Sequence, residues 1–187
     1  QMKAISILND VIGPVMRGPS SSHTAGSYRL AALARSLLDD APAEAEFTFD
    51  PGGSYARCYE SQASDLAFAA GSMGWSITDD RFPRALALAP AAGLQVRFRV
   101  EPLPGASHPN AVRIRLRGRG GRTLEAAGRS IGGGAVEIIA LEGWPVVLTG
   151  LCHETLVELD ASAEAAVRPR LECGGENLGD VRRVAAG

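Results

Sequence analysis

Residues 94–101 read LQVRFRVE and residues 111–118 read AVRIRLRG. In the first stretch Leu94, Val96, Phe98 and Val100 alternate with Gln95, Arg97, Arg99 and Glu101. In the second, Val112, Ile114 and Leu116 alternate with Arg113, Arg115 and Arg117. Alternation of period two puts every apolar side chain on one face of a strand and every charge on the other. The glycine-rich stretch 118–121 then predicts a turn into a hairpin partner over 122–130. Ser130-Ile131-Gly132-Gly133-Gly134 interrupts, and residues 135–141 and 145–149 read as two further strands.

The pattern upstream is different. Leu30, Leu33, Ala34, Leu37 and Leu38 share one helical face, and Asp39-Asp40 with Ala41-Pro42 ends that helix. Residues 44–50 alternate and suit a strand closed by Pro51-Gly52-Gly53. Residues 59–73 predict a second helix with Leu66, Ala69, Ala70 and Met73 inward, and residues 82–92 a short third one limited by Pro90. Helices first, then consecutive hairpin strands, indicate an α+β fold with a largely antiparallel sheet covered by helices on one face. Residues 3–12 are apolar and lead to Gly13-Pro14 and Gly18-Pro19, which bracket a rigid loop. From about residue 153 the chain changes character, with a strand expected at 155–159, a helix at 161–168 and a turn at 172–176. This tail is too short to bury a core of its own. The expected division is a main domain over 3–150 and an appendage over 151–187.

The 187 residues suffice for one domain of ordinary size. Aromatics make up only 5%, so the core is expected to rest on Ala, Leu, Val and Ile. A net charge of -2 argues against a general nucleic-acid binder. No run approaches the length of a membrane span, and the N-terminal residues do not read as a secretory signal. Cys58, Cys152 and Cys173 are far apart and form no CxxC pair, so neither a disulfide framework nor a zinc site is expected, and a reducing cytoplasm is the simplest location.

The chemistry-bearing stretch is residues 12–26, IGPVMRGPSSSHTAG. Three hydroxyls (Ser20, Ser21, Ser22), an imidazole (His23) and a fourth hydroxyl (Thr24) lead into a helix. Backbone N–H groups at a helix start favour an anion, and histidine exchanges protons near neutral pH. The plainer alternative is an N-cap cluster in which His23 is incidental. Elsewhere the arginines of residues 97–117 share one sheet face, either solvated or turned to an acidic partner subunit. Residues 132–134 suit close backbone packing more than phosphate binding. Cys58, and Cys152 with His153, read as structural.

Four stretches in this order, IGPVMRGPSSSHTAG (12–26), GSYARCY (53–59), HPNAV (108–112) and SIGGGAVEI (130–138), resemble the β subunit, or β domain, of iron–sulfur-dependent L-serine dehydratases. The likeness covers roughly residues 3–150. It implies a fold like the allosteric substrate-binding domain of some phosphoglycerate dehydrogenases. It also implies a hetero-oligomer with a cluster-bearing α subunit, whose four-iron, four-sulfur cluster would act as Lewis acid on a small amino-acid substrate, with pyruvate and ammonia as products and no pyridoxal phosphate. On this chain the resemblance implies catalytic roles for His23 and Thr24. It implies substrate-binding roles for Ser20, Ser21, Ser22, Gln62, Ser64, Asp65, His108, Asn110 and Ser130, and no metal ligand.

Two departures stand out. Where the family shows Gly-His-Gly-Thr-Asp, this sequence has Ser61-Gln62-Ala63-Ser64-Asp65. Gln62 can hydrogen-bond but cannot titrate, which points to a changed Ser- or Cys-derived substrate or to a weakened subunit. Cys58 stands where threonine is common, and the tail resembles a shortened ACT domain with Asn177-Leu178 as its remnant. A serine- or anion-binding regulatory module and a non-catalytic scaffold are the competing expectations.

Overall fold

Leu30, Ala31, Ala34 and Leu38 lie on one helical face and are fully buried, which fixes α1 (Gly26–Leu38) against the sheet. The computed structural model describes residues 14–151 and a few helical positions between 162 and 169. After α1 come β1 (Pro42–Phe49), α2 (Ser54–Cys58), α3 (Ser64–Met73), a 3-10 turn at Phe82–Arg84 and α4 (Ala85–Leu88). Five strands follow: β2 (Gln95–Val100), β3 (Ala111–Gly118), β4 (Thr123–Gly132), β5 (Ala135–Leu141) and β6 (Trp144–Leu148). They form one sheet in the order β2-β1-β3-β4-β5-β6. Only β1 and β2 pair in parallel, across the helical connection between them; the other four pairings are antiparallel. The fold is α+β.

The chain divides into two compact units, Gln1–His153 and Glu154–Gly187. In the second, backbone is helical at residues 162, 163, 166, 167 and 169. The expected strand at 155–159, the turn at 172–176, Asn177-Leu178, Cys152, His153, Cys173 and the stretch 3–12 lie outside the described residues. Among the described residues no helix is long and apolar enough to cross a membrane.

The helix expected over 59–73 begins only at Ser64, as α3; residues 59–63 form turns that separate it from α2. The break is Ala63, whose φ of +53° is left-handed and cannot continue a right-handed helix. The chain turns there because the amides of Ser64 and Asp65 both donate to the Tyr59 carbonyl, at 2.8 and 3.2 Å. A left-handed alanine costs about 1–2 kcal/mol, against about 0.5–1 kcal/mol of extra chain entropy for glycine. Ala63→Gly is therefore expected to raise stability by about 0.5–1 kcal/mol, read as a higher urea midpoint at unchanged slope. A lower midpoint would show that the methyl packs usefully.

The apolar side chains of β1, β3, β4 and β5 face the helices: Ala45, Phe47, Phe49, Val112, Ile114, Leu116, Leu124 and Ile138 join Leu30, Leu38 and Phe68 in the core. As expected, most of the buried core is Ala, Leu, Val and Ile, and the few aromatics are concentrated within it. Phe47, Phe49, Phe68 and Phe98 are four of the chain's five phenylalanines, and with Tyr55 and Tyr59 they form one cluster. Few aromatics suffice because they are gathered in one place, between α2, α3 and the β1–β2 edge.

The opposite face carries the arginines, and it is not a free cationic surface. Glu44 of β1 pairs with Arg117 and, at 3.9 Å, with Arg97. Glu46 lies 2.6 Å from Arg99 and 3.9 Å from Arg115, which also reaches Glu125 at 2.5 Å. Arg113 meets Glu101 at 3.7 Å. Acidic residues of adjacent strands thus sit opposite the basic ones, a cross-strand ladder. Solvent-exposed pairs of this kind add little stability, so the ladder's main effect is to neutralise the face.

A hydroxyl-cradled histidine as candidate active site

The serine loop is a shaped turn. Ser20, extended at φ -138° and ψ 124°, caps it by accepting from the His23 amide through Oγ, at 3.1 Å. Its carbonyl takes the amides of Thr24 (2.8 Å) and Ala25 (3.3 Å), and Ser21 offers its carbonyl to the amide of Gly26. The turn Ser21–Ala25 is therefore wider than an α-helical one and passes directly into α1. Its closeness to neighbours demands glycine twice. A Cβ on Gly18, at φ +90°, would lie 2.5 Å from the Thr24 methyl, and one on Gly26 would lie 2.3 Å from Ser130 Oγ.

The loop is then tied to the start of α3. Thr24 Oγ1 donates to the Gln62 carbonyl at 2.8 Å. The His23 carbonyl accepts from Ser64 Oγ at 3.0 Å and from Ser27 Oγ. Thr24, Ser27 and Ser64 are fully buried, so each hydroxyl satisfies a backbone group that water does not reach.

These ties place the His23 ring, half-buried, among hydroxyls. Nδ1 lies 3.3 Å from Ser20 Oγ and 3.2 Å from Ser22 Oγ, and Nε2 lies 2.9 Å from Ser54 Oγ. Tyr55 packs edge-on at a centroid distance of 5.4 Å. Among the described residues no carboxylate hydrogen-bonds the ring. Burial lowers the imidazole pKa from its ordinary 6.5, so His23 is neutral at pH 7 and able to accept a proton. Burial pushes the Tyr55 phenol the other way, well above its usual range, and Tyr55 stays neutral.

The remaining sequence-chosen residues fall in three groups. Asn110, Ser130 and His108 lie behind the loop. The Ser130 amide donates to the Asn110 carbonyl at 3.2 Å, and the Asn110 amide to His108 Nδ1 at 3.1 Å. Ser130 is fully buried, and neither its hydroxyl nor Asn110 Oδ1 has a hydrogen-bond partner among the described residues. Gln62 enters through its carbonyl. Asp65, in the first turn of α3, accepts from the adjacent Leu66 amide at 2.8 Å, and burial raises its carboxyl pKa; among the described residues no hydrogen bond joins it to His23. Cys58 is half-buried rather than a core residue, with Sγ donating to the Ser54 carbonyl at 3.1 Å. Among the described residues no group of three His, Cys, Asp or Glu is placed to hold a metal, so those residues do not fit a cluster of their own.

The chain is 41% identical, over 141 residues, to the "Probable L-serine dehydratase, beta chain" of Bacillus subtilis (strain 168), and 36% identical, over 149 residues, to the "L-serine dehydratase, beta chain" of Peptoniphilus asaccharolyticus. Over three quarters or more of its length the chain is similar to L-serine dehydratase β chains. The matches take in 75% and 80% of this chain and 62% and 66% of those relatives, so the chain spans under two thirds of their length. No family profile matches it.

Within this fold, sequence reasoning missed Ser54, Ser27 and Tyr55. Ser54 lies 31 positions from His23, and no local pattern joins them. The available signal was the GSYARCY stretch, quoted for its likeness and assigned no role. Ser27 sits one helical turn after His23, a spacing at which a hydroxyl reaches the carbonyl four residues back.

Proposed function

We propose that this chain is the β subunit of a cytoplasmic, iron–sulfur-dependent L-serine dehydratase, and that it supplies a neutral imidazole to an active site shared with a cluster-bearing α subunit. The observation that carries the proposal is the hydroxyl-cradled His23 in a chain similar to L-serine dehydratase β chains. The cluster belongs, in this reading, to the α subunit and supplies Lewis-acid chemistry at the leaving hydroxyl.

This chain's own residues bind, orient and move a proton. The hydroxyls of Ser20, Ser21 and Ser22 offer donors to the amino-acid carboxylate. The neutral His23 ring accepts the α proton at Nε2, displacing the Ser54 hydroxyl; the electron pair left on Cα forms the Cα–Cβ double bond as the β hydroxyl departs, and the proton held on His23 joins it to give water. The resulting enamine tautomerises to an imine, and water converts it to pyruvate and ammonia. Thr24 holds the loop to the α2–α3 link through the Gln62 carbonyl, which keeps the imidazole in register with the substrate.

A second reading, a lyase for another Ser- or Cys-derived amino acid, is favoured by Gln62, which stands where the family segment carries a titratable histidine. Anaerobic ammonia and pyruvate release by the chain co-purified with its α subunit separates the two. Turnover of L-serine above L-threonine and L-cysteine is expected. Preference for L-cysteine supports the second reading, and a cluster-loaded complex inactive on all three overturns the dehydratase assignment.

A further inference from the structure

We propose that Ser54 is a positioning residue for His23: it selects the imidazole tautomer, and the 108–110 turn in turn holds Ser54 in place. The two ring nitrogens are served unequally. Nδ1 faces two hydroxyls, Ser20 at 3.3 Å and Ser22 at 3.2 Å, which also approach each other at 3.3 Å. Either can donate or accept, so they impose no tautomer. Nε2 faces Ser54 Oγ alone, at 2.9 Å. Among the described residues the other side-chain group hydrogen-bonded to that hydroxyl is Cys58 Sγ at 3.8 Å, a weak acceptor. The Ser54 proton therefore goes to Nε2, and the ring carries its own proton on Nδ1, where Ser20 and Ser22 accept it.

Ser54 is itself fixed by backbone. Its amide donates to the Pro109 carbonyl at 2.6 Å. A Cβ on the preceding Gly53 would stand 2.9 Å from that same carbonyl, so the close approach requires glycine. The next residue, Tyr55, is fully buried and presents its ring edge-on to His23. The His108-Pro109-Asn110 turn thus acts at one remove, through Ser54. The titratable groups packed near the ring are Tyr55 and, behind Ser54, Cys58.

Nitrogen-15 NMR of the full-length chain labelled at histidine reads the tautomer directly. The wild-type chain is expected to show His23 as the Nδ1–H form. Ser54→Ala is expected to shift population toward Nε2–H and to move the His23 pKa up toward its ordinary value, because a donor to the neutral ring is lost. Ser54→Thr keeps the hydroxyl and restores the wild-type signals. Ser54→Cys, nearly isosteric but a weak donor, shifts them in the same direction as alanine and stands in for it should Ser54→Ala not fold. Unchanged tautomer and pKa in the folded alanine or cysteine variant overturn the proposal.

The consequence for turnover rests on the dehydratase reading. In the assembled enzyme Ser54→Ala is expected to lower kcat about ten- to a hundredfold, by analogy with the loss of a group that orients a metal-bound imidazole, with KM little changed. The NMR arm needs no substrate, so a complex inactive on serine sinks the dehydratase reading and leaves this inference standing. An altered tautomer with undiminished kcat sinks the positioning role alone.

Discussion

On the proposed dehydratase reading, His23→Ala in the assembled enzyme is expected to lower kcat by about 10²–10⁴-fold, the usual contribution of a positioned general base, while the chain stays folded. The loop's architecture does not depend on the imidazole. The His23 amide still donates to Ser20 Oγ, and its carbonyl still receives Ser27 and Ser64. What is lost is the ring and its contacts with Ser20, Ser22, Ser54 and Tyr55. Circular dichroism and α-subunit binding should therefore match wild type. A scaffold role makes the opposite prediction, a variant that assembles and turns over normally, and that outcome would remove His23 from the mechanism.

The pH profile carries the same assignment with a definite sign. A base must be neutral, and burial lowers the His23 pKa from 6.5. Activity as kcat/KM is thus expected to be present above an acid limb lying below 6.5, and to be lost as pH falls through it. The same shift makes the folded state bind protons less readily than the unfolded chain. It contributes stability above the unfolded pKa that is lost as pH falls through the folded one. An acid limb above 6.5 would assign the essential base to another group.

The strands were legible because their signal is local. Residues 94–100 and 112–117 alternate so strictly that β2 and β3 follow from the side-chain period alone, and the glycines at 118–121 mark the hairpin. Two features were out of reach for the same reason, a long-range partner that no window contains. The run 59–73 is helical in composition, but the Tyr59 carbonyl captures the amides of Ser64 and Asp65 and bends the chain at Ala63. The arginine face reads as basic along β2 and β3, whereas the glutamates that neutralise it come chiefly from β1 and β4, brought alongside by the sheet order. The site divides in the same way. The serine loop was visible as a motif, and its cap and carbonyl ties are local. The hydroxyl on Nε2 arrives from another helix and was out of reach.

The largest expected effect on stability falls on Phe49→Ala. Phe49 is fully buried and sits at the centre of the aromatic cluster, with ring centroids 5.1 Å from Tyr55, 5.3 Å from Tyr59, 5.8 Å from Phe68 and 6.1 Å from Phe98. Truncating a buried phenylalanine costs about 3–5 kcal/mol, transfer and cavity terms together, against a typical domain stability of about 5–15 kcal/mol. Phe49→Leu keeps most of the volume and should cost under about 1.5 kcal/mol. Chemical denaturation followed by fluorescence checks both. The site should register the change as well. Tyr55 is backed by Phe49 and Phe68 and is the ring against which His23 rests, so slack in the cluster reaches the imidazole through Tyr55. Phe49→Leu should then lower kcat under conditions where the chain is fully folded. A cost below about 1 kcal/mol for Phe49→Ala would mean that the four neighbouring rings close over the gap, in excess of the partial relaxation that cores ordinarily show. The few aromatics of this chain would then fill space beneath the site without fixing its geometry.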